Sequence, residues 1–201
     1  MNLKYYKPTQ LEQWISNVYQ KNGINYASDL DLERICDIFG INLQYYTGPS
    51  CAKWADDYSF IFLNSYLCTE QRREVFFHEL CHPLKHVGNQ RELPELFKQL
   101  QENQAAQLQM YAAIPAYMLE EFNGITSYSA YIKVLSEEFL LPTAFIVKRV
   151  EQIQRRIYQA KQDRQLRIQS KTIQLHFGYS PETMRILNQL EKQLAKTREI
   201  V

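Results

Sequence analysis

The chain contains no run of about 18 apolar residues, so no segment of it reads as a membrane-spanning helix. Its first residues, MNLKYYKPTQLEQW, lack the apolar stretch of a secretion signal, which gives the expectation of an unexported, cytoplasmic protein. The four cysteines, Cys36, Cys51, Cys68 and Cys81, include no CxxC pair, a pattern that suits neither a zinc ribbon nor a small disulfide scaffold. Reduced and mostly buried thiols are expected instead. No charge of one sign dominates: 23 Lys and Arg face 22 Asp and Glu, and a net charge of +1 provides no global field for nucleic acid or an anionic membrane. Neither partner is expected to bind directly. Repeats and low-complexity tracts are absent as well. What is present is 201 residues, 45% of them apolar, enough for a real core in one or two small domains.

Local signals give a mostly helical α+β chain with a small sheet. Thr9 followed by Glu12 predicts a helix start, with Leu11, Trp14, Ile15 and Val18 at helical spacing. A second helix is expected from a Ser28 cap to Gly40, and Ile41 to Tyr46 alternates like a strand. Tyr58 to Asn64 is rich in aromatic and β-branched residues and reads as a further strand. Helices are then expected from Thr69, over Leu93 to Phe122 with a break at Ile114-Pro115, from Ser127 to Phe139, and from Thr143 past Arg164. Thr172 to Phe177, including His176, reads as a strand, and Ser180-Pro181-Glu182 opens a last helix carrying Leu187, Leu190 and Leu194, an apolar stripe expected to pack inside the chain.

The chemistry is concentrated in Phe77-His78-Glu79-Leu80-Cys81-His82, an HExxH motif on a helix. Residues four apart lie about 40° apart around a helix and one turn along it, so His78 and His82 can reach one ion. Glu79, about 100° from His78, suits a carboxylate that acts on water as general base rather than on the metal. A catalytic zinc needs a third protein ligand, and Glu102, 20 residues beyond His82 on a separate helix, is the residue the sequence offers. Zn2+ is the expected cofactor, with Mn2+ as the alternative. His86 extends the spacing of four but stands about 12 Å along the axis from His78, too far to share the ion. The longer HExxHxxGxxH pattern fails because Lys85 and Gly88 occupy its glycine and third histidine places. Pro83 removes a hydrogen bond to Glu79, which predicts that the helix ends or bends just after His82.

These residues resemble the ImmA/IrrE family of metallo-endopeptidases. The likeness rests on Ile61 to Asn64, Phe76 to Gln90, Leu100 to Ala105 and Ala112 to Leu119, where Glu102, Ala105 and Pro115 fall on the family's glutamate, alanine and proline. Leu135 to Pro142 followed by Val147 to Val150 is similar to the family's small helix-turn-helix subdomain. The likeness covers roughly residues 30 to 157. Alanine at position 106, where members usually carry asparagine, and Pro83 depart from it. It implies a zincin-like metallopeptidase domain over 1–125, a helix-turn-helix-like subdomain over 126–165, and an extension of unassigned role over 166–201. It also implies a site-specific protease, typical of bacteria, prophages and mobile elements, that cleaves an XRE-type helix-turn-helix repressor and releases the genes it silences.

For catalysis, the strand from Phe60 to Asn64 is expected to be an edge that holds extended substrate, with Asn64 among the contacts. Tyr111 and Tyr66 are weak candidates for a transition-state donor. Between Phe145 and Lys171 eight basic residues outnumber two acids, and Arg155 and Arg156 within this region are expected to select the protein substrate. The alternative is a non-catalytic repressor- or DNA-binding module with a structural metal site. Glu79 separates the two, since a structural site has no use for a general base and needs a fourth protein ligand.

Overall fold

The computed structural model describes residues 2–85, 94–177 and 179–198. The chain divides into two compact units, Met1–Ile157 and Tyr158–Val201. In the first, α1 (Gln10–Lys21) starts at Thr9, whose hydroxyl accepts from the Glu12 amide at 3.2 Å. A 3-10 turn at Ala27–Asp29 precedes α2 (Leu32–Phe39), so the helix begins at an Asp31 cap rather than at Ser28. Asp31 wins because its carboxylate takes the Arg34 amide at 2.8 Å. Gly40 ends α2 in the left-handed region, φ 66°, which only glycine adopts freely.

Three strands follow: β1 (Asn42–Tyr46), β2 (Cys51–Ala55) and β3 (Tyr58–Asn64), in the order β1-β3-β2. β1 runs parallel to β3, and β2 antiparallel to it across the two-residue Asp56-Asp57 turn. The strand containing Phe60 to Asn64 is therefore central, which corrects the expectation of an edge. The edges are β1 and β2, and β2 is the strand that the sequence reading did not foresee. Register sorts the two faces, since cross-strand partners share one. Ala52 lies opposite Ile61 and Trp54 opposite Ser59, on the face where Ile61 and Leu63 are fully buried.

Against that face packs α3 (Thr69–Lys85), through Phe76, Phe77, Leu80 and Cys81 in the core. It runs through Pro83 to Lys85, so of the end or bend expected after His82 the end does not occur there. A proline within a helix forfeits one hydrogen bond, and the continuous packing of the turns around it can hold the remainder. His86 lies outside the described residues. α4 (Glu95–Ala113) lies alongside α3 with Ala105 and Leu108 fully buried, and Gln109 Nε2 donates to the Glu74 carbonyl at 2.8 Å. Pro115 then breaks the helix into a 3-10 segment, Ala116–Phe122.

α5 (Tyr128–Phe139) and α6 (Thr143–Phe177) are joined by a short turn in which Leu140 takes φ 51°. A buried charge cluster ties α6 to α1. Arg149, fully buried, donates to Glu12, to the Ile114 carbonyl at 3.1 Å and to Gln152 at 2.6 Å, and Glu12 is itself 1% exposed. The expected strand at Thr172 to Phe177 is instead the end of α6. Only Thr172 and Ile173 are β-branched there, and no glycine or proline intervenes before Gly178 to stop a helix already running. In the second unit, α7 (Pro181–Arg198) leaves Leu190 exposed and Leu187 half-buried, so these two are not the intrachain core expected of them.

Candidate metal centre

Two helices build the site. On α3, His78 and His82 project from one face a turn apart, with their rings edge to face at 5.2 Å. From α4, Glu102 enters between them: its Oε2 lies 3.2 Å from His78 Nε2 and its Oε1 3.9 Å from His82 Nε2. Ala105, one turn along α4 and without exposed surface, lets the two backbones come close enough for this. One ligand atom from each of the three side chains lies within 4.8 Å of the others. A tetrahedral ion bonded at about 2.0 to 2.1 Å sets its ligand atoms roughly 3.3 to 3.4 Å apart, so these donors fit zinc with small rotations. Two imidazoles and one carboxylate also match zinc chemically. Among the described residues, which include all four cysteines, no further His, Cys, Asp or Glu joins the cluster. The cysteines are free thiols: Cys36 and Cys81 are buried, Cys51 half-buried and Cys68 exposed, so burial is less general than expected.

Glu79 occupies the same stretch of α3 with different surroundings. Burial pushes its carboxyl above the usual carboxylate range, against the opposing pull of His78 and of the Ala52 amide that donates to it, and the neighbouring Glu102 raises it further. A carboxyl so placed holds a proton more readily than a solvated one, which suits a group that must accept one and hand it on. The Ala52 contact brings β2 to the site. So does Trp54, whose indole stacks on the His82 ring at 5.8 Å and 14°. Neither residue was singled out from sequence, because the short Cys51–Ala55 segment mixes polar and apolar positions without a strand signature. The Ala-Asp-Asp-Tyr turn was the available signal.

The residues expected to meet substrate are dispersed. Asn64, at the end of β3, accepts the Tyr66 backbone amide on its side-chain Oδ1 at 2.8 Å, while its own backbone N–H donates to Ser50 Oγ at 2.9 Å. Arg155 is exposed on α6. Arg156 is not the free surface cation expected. It turns inward to Glu12 Oε2 and the Tyr6 hydroxyl, both at 3.2 Å, and to the Tyr111 hydroxyl. With Arg149 fully buried and Arg156 half-buried, two of the eight basic residues between Phe145 and Lys171 are engaged with Glu12 rather than free at the surface. A desolvated Glu12 demands opposite charge more strongly than a solvated surface does. Tyr111 is 1% exposed and engaged with Arg156, so it offers no donor at the metal centre, and Tyr66 is 80% exposed.

Comparison with known proteins places the chain in a family. A peptidase family model described as the IrrE N-terminal-like domain matches residues 36–186, starting slightly inside the stretch of roughly 30 to 157 on which the motif likeness rested and reaching further at its C-terminal end. Phage-like element PBSX protein XkdA of Bacillus subtilis (strain 168) is 31% identical over 149 residues, 74% of this chain and 75% of that protein. The uncharacterized protein YqaB of the same strain is 27% identical over 154 residues, 77% of this chain and 90% of its own length. The chain belongs to the IrrE N-terminal-like peptidase family.

Proposed function

We propose that this family member is a site-specific metallo-endopeptidase in which His78, His82 and Glu102 hold a zinc ion and Glu79 is the general base. The observation that carries the reading is the meeting of those three donors, from two helices, directly beside the half-buried Glu79 carboxyl. Zinc in such a site polarises a peptide carbonyl and lowers the pKa of water. Glu79 then takes the proton of the attacking water on its carboxylate and delivers it to the departing amine. The Ala52 amide holds that carboxylate in orientation. β2, an edge strand with its Ala52 amide and Trp54 ring at the site, is suited to accept an extended peptide as an added strand.

The substrate is a helix-turn-helix repressor, whose cleavage releases mobile-element or stress genes, and the enzyme acts in the cytoplasm where such a repressor works. Support comes from the family resemblance and from a relative described as a phage-like element protein. No helix among the described residues is long and apolar enough to cross a membrane. The segment 126–165, with Arg155 exposed on it, is the recognition subdomain in this reading. The test is to mix purified zinc-loaded protein with the small helix-turn-helix protein encoded beside it and look for two fragments. Fragments with wild type and none with Glu79→Gln are expected; intact repressor with the wild type would overturn the substrate assignment.

A further inference from the structure

We infer that Trp54 is a positioning residue for the metal centre, setting the plane of the His82 ring so that its nitrogen faces the ion. The inference rests on the reading of His78, His82 and Glu102 as ligands. Helical spacing fixes where the Cβ of His82 lies, but not its ring: the torsion between Cβ and an imidazole is broad, with no narrow well to hold the plane. A ligand nitrogen bonds along a direction within that plane, so something outside the helix must stop the ring from turning.

Two walls do so. The His78 ring meets His82 edge-on at 5.2 Å and 77°, and the Trp54 indole lies nearly parallel to it at 5.8 Å and 14°. His82 is 4% exposed between them. The next residue, Pro83, cannot donate to the Glu79 carbonyl, so the helix is least restrained by its own hydrogen bonds just where this ligand sits. Trp54 is supplied by β2, whose register with β3 puts position 54 on the helix-facing side of the sheet. A strand outside the motif thus sets the orientation of a residue inside it.

The indole allows a clean separation of stacking from hydrogen bonding. Its Nε1 is buried and has no hydrogen-bond partner among the described residues, so Trp54→Phe removes no bond while keeping a flat ring. Trp54→Leu keeps apolar volume and removes the flat face. Zinc affinity is measured by competition with a chromophoric chelator for wild type, both variants and His82→Ala, with melting of each metal-free protein as a check on folding. Wild type and Trp54→Phe should agree within about threefold, and Trp54→Leu should bind roughly 10- to 100-fold more weakly, the usual cost of losing a group that orients a ligand. With two tryptophans in the chain, zinc should alter the emission of Trp14→Phe, which retains Trp54, and leave that of Trp54→Phe unchanged. Wild-type affinity in Trp54→Leu, or equal weakening in Trp54→Phe, overturns the inference while leaving the metal centre standing. If wild type itself takes up no zinc, or His82→Ala takes up as much, the metal reading falls and this inference falls with it.

Discussion

Two places in this molecule gather charged side chains from distant parts of the chain, and they do so to opposite ends. At the candidate metal centre, His78, His82 and Glu102 converge with Glu102 still half-exposed, its side chain 49% accessible. At the junction of α1, α4 and α6, Glu12, Arg149 and Arg156 converge with the carboxylate and one guanidinium sealed from water. The second cluster sets one carboxylate between two guanidiniums. Tyr6 donates to Glu12 at 2.6 Å, and Arg149 lies 5.0 Å from the Tyr111 ring centroid. The first cluster gathers two imidazoles and two carboxyls, and one of those carboxyls, Glu79, is pushed up by burial and by Glu102 beside it, against the pull of His78. Complementary charge makes a rigid joint, whereas two imidazoles and a carboxylate converging on a common point form a set that could hold an ion.

The sharpest way to break this contrast is to alter one group in each cluster. Glu79→Gln should retain about one zinc per chain and lose roughly 10²- to 10⁴-fold in cleavage rate, the usual worth of a general base. His78→Ala or His82→Ala should abolish metal retention in elemental analysis, and Glu102→Ala should weaken it. Equal metal loss from Glu79→Gln and Glu102→Ala would remove the distinction between base and ligand.

The next effect lies in stability rather than rate. Arg149→Met leaves Glu12 buried with one partner fewer, and urea unfolding should show a loss of about 3 to 5 kcal/mol. Zinc bound per folded molecule should not change. An Arg149→Met protein as stable as wild type would mean that the inner cluster is not the joint described.

Smaller still is the difference between two neighbours on α6. Arg155 is exposed, so Arg155→Glu should shift stability by less than about 0.5 kcal/mol while weakening repressor cleavage, most at low salt, with cleavage of a short peptide unchanged. Arg156→Glu should cost roughly 1 to 3 kcal/mol, because charge-assisted bonds to Glu12, Tyr6 and Tyr111 are lost. Repressor cleavage by Arg155→Glu that matches wild type across a salt series would dismiss this face as a selector.

The least perturbing test uses the thiols. Burial pushes Cys36 and Cys81 up to about 12, so at pH 8 a thiol reagent should label Cys51 and Cys68 in the native protein and all four after denaturation. Because these two pKa values are raised by folding, their thiols cost nothing below the ordinary thiol range. Stability should decline as pH climbs from that range towards about 12. Rapid labelling of Cys81 at pH 8 would show that the back of α3 opens.

Legibility from sequence followed the range of the interaction. The helix starts at Thr9 and Ser127, the Gly40 stop and the break at Pro115 are local, and each was readable. β2 was not, and its omission misplaced β3 at an edge. Arg156 read as one of a basic stripe because its partners, Tyr6, Glu12 and Tyr111, come from 45 to 150 positions away.

The sequence by itself determined the spacing of His78, Glu79 and His82, since a helix converts four positions into one turn whatever surrounds it. It also pointed to Glu102, whose nearby Ala105 is a small residue suited to a close helix contact. Only the tertiary structure decided that β2 reaches the site, that Trp54 lies flat on His82, and that Arg149 and Arg156 turn inward. Strand order and the direction of a long side chain depend on which surfaces meet and on which charges must be matched out of water, and no window of neighbouring residues contains that information.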